Sequence, residues 1–337
     1  MWRKRLYFFI IVVASFTTAL LGSSRFSGMM FGDFFYIPDH HREDLAGMNG
    51  WWIRRIYFTY DNKLSERFAI RFRLEARSPG DFETRDVIKP FVKDAYIKYK
   101  TGLHSFYAGL IPTPTWANVE KIWGYRAVEK TPADLFKIGS SRELGIGAKG
   151  ALDRAGRFNY WFVFGNGEGK KSEVNPGKKV LMSIFLKPKK GILLEVYGDY
   201  AKETSATSTT AHLFAAYEKK DFRAGIQYIY HIRSLENYED IERKVLSIFS
   251  CVKIHPKVGI FGRYDHLFNA NPDGSRNSYM PFYNGSPLDL VLLGLDYKLH
   301  RKISLIPNLA WVQYREEDPQ ISVGHDLYFK ITFYARW

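Results

Sequence analysis

The chain has 337 residues, enough for one large domain or two of ordinary size. Its single cysteine, Cys251, excludes an internal disulfide and any metal site built on several cysteines. The formal net charge of +14 is compatible with a nucleic-acid binder, a heparin binder or simply a basic surface. The positions of the charges along the chain decide between these classes.

The first segment, residues 1–24, is predicted to be a secretory signal peptide. Arg3, Lys4 and Arg5 precede an apolar run of sixteen residues, and small residues follow it. A transmembrane anchor is the alternative, although sixteen residues are slightly short for one. Loss of those three basic residues lowers the net charge from +14 to +11 and leaves residues 25–337 as the mature domain.

Apolar and polar residues alternate with period two along nearly the whole mature chain, which predicts β-strands with one apolar and one polar face. The predicted strands cover residues 28–38, 50–60, 66–77, 90–99, 104–111, 142–150, 156–165, 178–187, 191–202, 210–218, 222–233, 243–253, 257–268, 288–298, 302–314 and 325–337. The faces of 28–38, 243–253 and 288–298 cannot be assigned from the pattern. Arg54 beside Arg55 breaks the alternation and predicts a bulge or a rim position.

The connections between these strands alternate between tight turns and longer loops. Such alternation is typical of outer-membrane barrels with short periplasmic turns and long extracellular loops. The last strand ends on Trp337, as expected for a strand whose terminal ring lies at the lipid–water boundary. The sequence therefore predicts an all-β fold, a transmembrane antiparallel β-barrel of about sixteen strands in a Gram-negative outer membrane.

Basic side chains alternate with apolar ones on three consecutive predicted strands. An Arg facing lipid at the bilayer midplane costs about 2–4 kcal/mol, so these side chains are expected to face the lumen. The predicted pore-lining, anion-binding residues are Arg55, Arg67, Arg71, Arg73, Arg77 and Lys98. The acids on other strands are expected to form a more acidic opposing wall: Glu143, Glu195, Asp199, Glu218 and Asp265. Anion preference is the favoured interpretation, and a weakly selective pore is the alternative.

Residues 112–141 form the one long insertion, which we call the third loop. It is rich in aromatic and charged residues, so it is expected to fold into the lumen and set the size limit of the pore. Pro132 with Asp134 predicts a short helical turn. The candidate constriction residues are Glu120, Lys121, Arg126, Glu129, Lys130 and Asp134.

No cofactor, metal or catalytic site is predicted. Residues 145–150 match the glycine pattern of dinucleotide-binding loops, but they lie inside a strand rather than before a helix. The histidines lack metal-ligand spacing, with the pair His40–His41 as the remaining candidate. A barrel enzyme is the competing class, with His212, His231 and Ser234 as the nearest approach to a hydrolytic site.

Several segments resemble the phosphate-selective porin O/P family: residues 50–64, Lys93–Tyr96, Gly109–Pro114 and residues 123–143 with Trp123-Gly124-Tyr125-Arg126. The resemblance implies a homotrimeric porin in outer-membrane lipid that passes small hydrophilic solutes, without nucleic acid as a partner. It also implies an arginine ladder and a lysine cluster for phosphate. Arg55, Arg67, Arg71 and Arg73 are the candidate ladder, whereas the lysines of the third loop are balanced by acids. Phosphate, another anion, or a neutral solute such as a sugar therefore remain the alternatives.

Overall fold

The computed structural model describes residues 24–315 and 323–337, so most of the predicted signal peptide lies outside the described residues. Sixteen β-strands account for most of the described chain. They are β1 (Ser24–Asp39), β2 (Asn49–Lys63), β3 (Phe68–Arg77), β4 (Lys89–Thr101), β5 (His104–Pro112), β6 (Arg142–Ala151), β7 (Phe158–Gly165), β8 (Lys178–Leu186), β9 (Ile192–Lys202), β10 (Ala206–Glu218), β11 (Phe222–Leu235), β12 (Ile241–His255), β13 (Val258–Leu267), β14 (Leu288–His300), β15 (Ile303–Tyr314) and β16 (His325–Arg336).

Each strand pairs antiparallel with its neighbours in sequence, and β16 pairs with β1, so the sheet closes into a barrel. The predicted all-β fold with sixteen strands is confirmed. Four short helices lie in the loops: α1 (Ala117–Trp123), α2 (Pro132–Leu135), and single 3-10 turns at Glu43–Leu45 and Gly274–Arg276. Among the described residues no helix has the length and apolar character needed to cross a bilayer.

The strands place apolar side chains on the outside of the barrel. On β3, Phe68 and Phe72 are exposed, whereas Glu75 is completely buried on the inner side. The last residue continues this outer surface, because Trp337 exchanges backbone hydrogen bonds with Gly28 of β1. A Cβ at Gly28 would overlap the Trp337 ring, so the glycine permits this close approach.

Two β-bulges turn consecutive charged residues into the barrel. The register between β1 and β2 shifts between Phe31 and Gly32, which leaves Arg54 as the additional residue, and both Arg54 and Arg55 are buried. The predicted irregularity at this dipeptide is confirmed. A second shift, between β3 and β4, leaves Lys93 additional, and both Lys93 and Asp94 are buried. Bulges of this kind re-aim side chains that strict alternation would direct outward.

The third loop leaves β5, folds into the barrel through α1 and α2, and returns at β6. Buried apolar residues of α1 recur at helical spacing and pack against β10, β11 and β12, with Trp123 against the rings of Phe249 and Phe261. Gly124 ends α1 at φ 70°, and a Cβ there would collide with the Arg223 guanidinium. The predicted helical turn is present as α2, with Pro132 at its first position.

A second loop, residues 268–287 between β13 and β14, also packs inside the long-loop end of the barrel. Its Met280 and Phe282 are fully buried, and the Phe282 ring lies against Phe136 of the third loop. The side chain of Asn277 accepts a hydrogen bond from Lys130 Nζ at 2.8 Å. The two loops therefore fill much of the lumen between the middle and the long-loop end.

Candidate functional site: a charged cavity at the short-turn end

A cavity of about 1010 Å³ lies between the third loop and the barrel wall and reaches the short turns. Its lining combines residues of β2, β3, β4 and β6 with the third loop, the turns after β10 and β14, and the adjoining ends of β12 and β13. Fourteen of the lining residues are Lys or Arg and five are Asp or Glu. The cavity is therefore strongly cationic.

Four bases on the β2–β6 side share two buried carboxylates, and we call these six residues the wall cluster. Glu75 of β3 accepts from Arg55 Nη1 at 2.9 Å and lies 2.6 Å from Lys93 Nζ. The second carboxylate is Asp94 of β4. It lies 3.3 Å from Arg73 Nη1 and also pairs with Arg142. The bulge at Lys93–Asp94 makes this arrangement possible, because it places a lysine and an aspartate side by side in the lumen.

The third loop presents its own paired charges to this cavity. The Arg126 guanidinium lies 3.3 Å from the Glu120 carboxylate and 3.0 Å from that of Asp134. Lys121, at the exposed edge of α1, also lines the cavity and has no carboxylate within 4.0 Å among the described residues. The loop therefore contributes both signs of charge.

A buried charge chain fastens the back of the third loop to the wall. Arg54 Nε lies 2.7 Å from the Asp33 carboxylate, while its guanidinium donates to the Val128 carbonyl at 3.0 Å. Glu129 lies 3.7 Å from Lys330 Nζ and 4.0 Å from Arg54. Burial alone would raise the pKa of Glu129, but these cations lower it to about 2. Glu129 is therefore an anchoring residue and does not line the cavity.

Lys130 is likewise buried behind the cavity, with 6% of its surface exposed. Burial lowers the pKa of Lys130 to about 7, and the nearby carboxylates of Asp134 and Glu129 only partly offset that effect. Its carbonyl accepts from Arg263 of β13 at 2.6 Å. Of the six candidate loop residues, four line the cavity and Glu129 and Lys130 anchor the loop.

A separate group of exposed bases lines the cavity at the short-turn end, and we call them the rim bases. None of them has a carboxylate within 4.0 Å among residues 24–315 and 323–337. They are Lys219, Lys220, Lys298, Arg301, Lys302 and Arg336. Their charges are therefore available to mobile ions.

Of the bases predicted to line the pore, Arg55 and Arg73 line the cavity and four others do not. Arg67 lies in the turn before β3 and is exposed, because the strand begins at Phe68. Arg71 forms an ion pair with Asp61, with Nε 2.6 Å from Oδ1. Arg77, at the far end of β3, lies over the Phe91 ring, and Lys98 lies over the Tyr107 ring. A continuous arginine ladder is not formed along β3.

The expectation of an acidic opposing wall is wrong. Asp265 is fully buried against Arg263, with Oδ2 2.6 Å from Nη2, and Asp199 lies 3.4 Å from Lys179 Nζ. Glu143 accepts from the Gly167 amide at 2.7 Å. Glu195 is buried behind α1, where it accepts from Asn118 at 2.9 Å. Only Glu218 of that set lines the cavity, and the lining opposite the wall cluster is basic.

The sequence pattern missed Lys93, Arg142 and the rim bases. A signal for Lys93 was present, because Lys93–Asp94 is a charged dipeptide inside a strand, like Arg54–Arg55. A signal for the rim was also present in the concentration of Lys and Arg in the short turns. Which of those turns border the cavity depends on where the third loop packs, and that requires the fold.

No model of a known protein family matches the chain, and no curated protein matches it. Solved structures do. An anion-selective porin from Comamonas acidovorans has 12% identity and a TM-score of 0.67, over 94% of this chain and 99% of that one. OprB of Pseudomonas putida, in its high-pH structure, has 11% identity and a TM-score of 0.67, over 95% and 96%. A trimer form of OmpT, an outer membrane protein of Vibrio cholerae, has 13% identity and a TM-score of 0.62, over 93% and 99%. At these identities the likeness establishes the fold.

Proposed function

We propose that the protein is an outer-membrane porin that lets small hydrophilic solutes diffuse passively and prefers anions. The observation that carries the anion preference is the composition of the cavity lining, in which fourteen side chains are basic and five are acidic. A confined lumen lined by fixed positive charge raises the local concentration of anions and lowers that of cations.

The outer face of the barrel supports a membrane location. Apolar side chains such as Ile97, Leu213 and Ile226 are exposed there, although in water a closed barrel would gain by burying them. Together with the predicted signal peptide and the similarity to outer-membrane barrels, this surface favours the Gram-negative outer membrane. The enzyme alternative finds little support, since His212 and His231 are both buried.

Currents through planar bilayers test the proposal. The refolded protein should produce discrete conductance steps, and the reversal potential in a KCl gradient should have the sign expected for chloride preference. Bilayers that show no current would favour a plugged structural barrel, because two loops fill much of the lumen toward the long-loop end. Hydrolysis of lipid or peptide by such a silent barrel would favour the enzyme.

Two finer proposals follow from the family resemblance. Phosphate is the first anion to test, because Arg and Lys both bind phosphate oxygens and the cavity offers both. Block of the chloride current by millimolar phosphate would support it, and an unchanged current would exclude a phosphate site. We also propose a homotrimer, in line with the trimer form of OmpT, and chemical cross-linking in native membranes should give a band at three times the monomer mass.

A further inference from the structure

At the long-loop end, two histidines and an aspartate meet on the inner side of the barrel. His40 and His41 follow β1, and Asp326 is the second residue of β16. One ligand atom of each lies within 4.8 Å of the other two. The His41 Nδ1–Asp326 Oδ1 distance is 3.0 Å, and the His40 Nε2–Asp326 Oδ2 distance is 3.7 Å.

Asp326 is a fully buried carboxylate, and no Lys or Arg lies within 4.0 Å of it in the part of the chain that is described. Asp33, Glu75 and Asp94, which are buried at similar depth, each pair with at least one Arg or Lys. A buried carboxylate is costly unless a positive charge or several donors compensate it. Its local partners are the His41 ring, the His41 amide at 2.7 Å and the Tyr314 hydroxyl at 2.5 Å.

We propose that His40, His41 and Asp326 form a binding site for a divalent transition metal of the zinc class. Zinc takes imidazole nitrogens and carboxylate oxygens at about 2.0–2.2 Å in a tetrahedron, so donor atoms bound to one ion lie a little over 3 Å apart. Measured to the same oxygen, Asp326 Oδ2, the distances of 3.0 Å from His41 Nδ1 and 3.7 Å from His40 Nε2 bracket that value. The fourth position falls to water or to the Tyr314 hydroxyl, which lies 3.2 Å from His41 Nδ1.

Binding at this site requires both rings to change tautomer. In the metal-free arrangement His40 Nδ1 accepts from the Arg42 amide at 2.9 Å, so a neutral ring carries its proton on Nε2, which lies 2.9 Å from the Tyr328 hydroxyl. The metal takes Nε2, the ring proton moves to Nδ1, and the Arg42 amide turns away. His41 makes the opposite exchange. Its Nδ1 donates to the Asp326 carboxylate in the metal-free arrangement, and when the metal takes Nδ1 the ring proton moves to Nε2. Residues 40–42 lie outside the strands, where this adjustment is possible.

The metal would join three parts of the long-loop end. It links the loop after β1 to β16 directly, and it reaches residues 268–287 through Tyr314, whose hydroxyl accepts from the Tyr283 amide at 3.1 Å. That loop is the one packed against the third loop inside the lumen. The bound ion would therefore hold the long-loop end closed over the lumen.

Calorimetric titration of the full refolded chain in detergent with zinc chloride tests the site without any need for current through the barrel. We expect one zinc per chain, and His41→Ala and Asp326→Asn should each lower the affinity at least about tenfold. The matched control is His266→Ala. His266 also pairs with an aspartate, Asp289 at 2.7 Å, but among the described residues this pair has no third ligand, so the affinity should not change.

Absence of zinc binding by the wild-type chain would overturn the proposal, and so would equal affinity in the wild-type chain and His41→Ala. Strand content measured by circular dichroism identifies a variant that fails to fold. If Asp326→Asn does not fold, the zinc affinity of His41→Ala tests the proposal alone. The His41 side chain is 9% exposed, whereas that of Asp326 is fully buried, so the loss of His41 should disturb the barrel less.

Discussion

Two sets of basic side chains line the same cavity and differ in what surrounds them. In the wall cluster, four bases share the buried carboxylates of Glu75 and Asp94. The rim bases are exposed and have no carboxylate within 4.0 Å among the described residues. The first set is part of the packed barrel, whereas the second set faces water.

The difference separates charges that stabilise the fold from charges that act on solutes. In the wall cluster, carboxylates at about 3 Å offset part of the positive charge, whereas the rim bases have no such partner and are screened by water and by salt, the latter over about 10 Å at 0.1 M. We therefore expect substitutions in the wall cluster to change stability, and substitutions at the rim to change ion preference. Each prediction below tests one side of this division.

The largest effect is expected from Glu75→Gln. The substitution keeps the shape of the side chain but leaves Arg55 and Lys93 buried without their carboxylate, which should lower the free energy of unfolding by about 3–5 kcal/mol. Urea denaturation of the refolded barrel measures the change. Asp86→Asn is the matched control, because it removes an exposed pair with Lys89 and should cost at most about 1 kcal/mol. Equal costs would show that the wall cluster does not depend on its buried carboxylate.

A smaller effect, dependent on pH, is expected from Lys130. The folded state holds the pKa of Lys130 at about 7, whereas the unfolded chain has the ordinary value of about 10.4. Between about pH 7 and pH 10 the unfolded state binds more protons at this residue, so the free energy of unfolding should rise with pH, by at most about 1.4 kcal/mol per unit. Below pH 7 both states are protonated and the penalty is complete.

Comparison with Lys130→Met isolates this contribution from that of other groups. The variant should lack the rise between pH 7 and pH 10, while Lys190→Met, at an exposed turn, should keep it. Parallel pH profiles of the free energy of unfolding for the wild-type chain and Lys130→Met would contradict this prediction. They would show that Lys130 keeps its charge in the folded barrel and that nearby carboxylates compensate it.

The outer architecture was predictable because lipid and water impose opposite demands on alternate residues. β3 shows this directly, with Phe68 and Phe72 outside and Arg73 and Glu75 inside. The bulge at Arg54 was also predictable, since two adjacent arginines cannot occupy opposite faces of a strand in a membrane. The third loop was recognisable from its length and its aromatic residues.

The interior was much less predictable. The faces of β1, β12 and β14 cannot be read from the sequence because their inner sides are apolar as well: Phe35, Val245 and Leu290 pack inside the barrel. On these three strands apolar side chains occupy both faces, so the alternation is weak. The basic partners of the acidic residues could not be predicted for a related reason. Asp94 and Arg142 are far apart in sequence, and the pairing of β4 and β6 with β5 brings them together.

The smallest effect on stability is expected at the rim. Arg301 and Lys302 are exposed in the turn after β14 and have no carboxylate partner in the described ranges, so the double substitution Arg301→Gln with Lys302→Gln should change the free energy of unfolding by at most about 0.5 kcal/mol per residue. Urea denaturation again provides the measurement. A loss comparable to that of Glu75→Gln would mean that the rim bases are structural too.

The most direct test of the division is the reversal potential of that double variant in a KCl gradient near 0.1 M, compared with the wild-type chain and with Lys189→Gln plus Lys190→Gln. The control pair also lies in a short turn, after β8, but does not line the cavity. We predict chloride preference in the wild-type chain, a clear shift toward zero in the Arg301/Lys302 variant and a much smaller shift in the control. A wild-type pore that prefers potassium, or equal shifts in the two variants, would contradict the account.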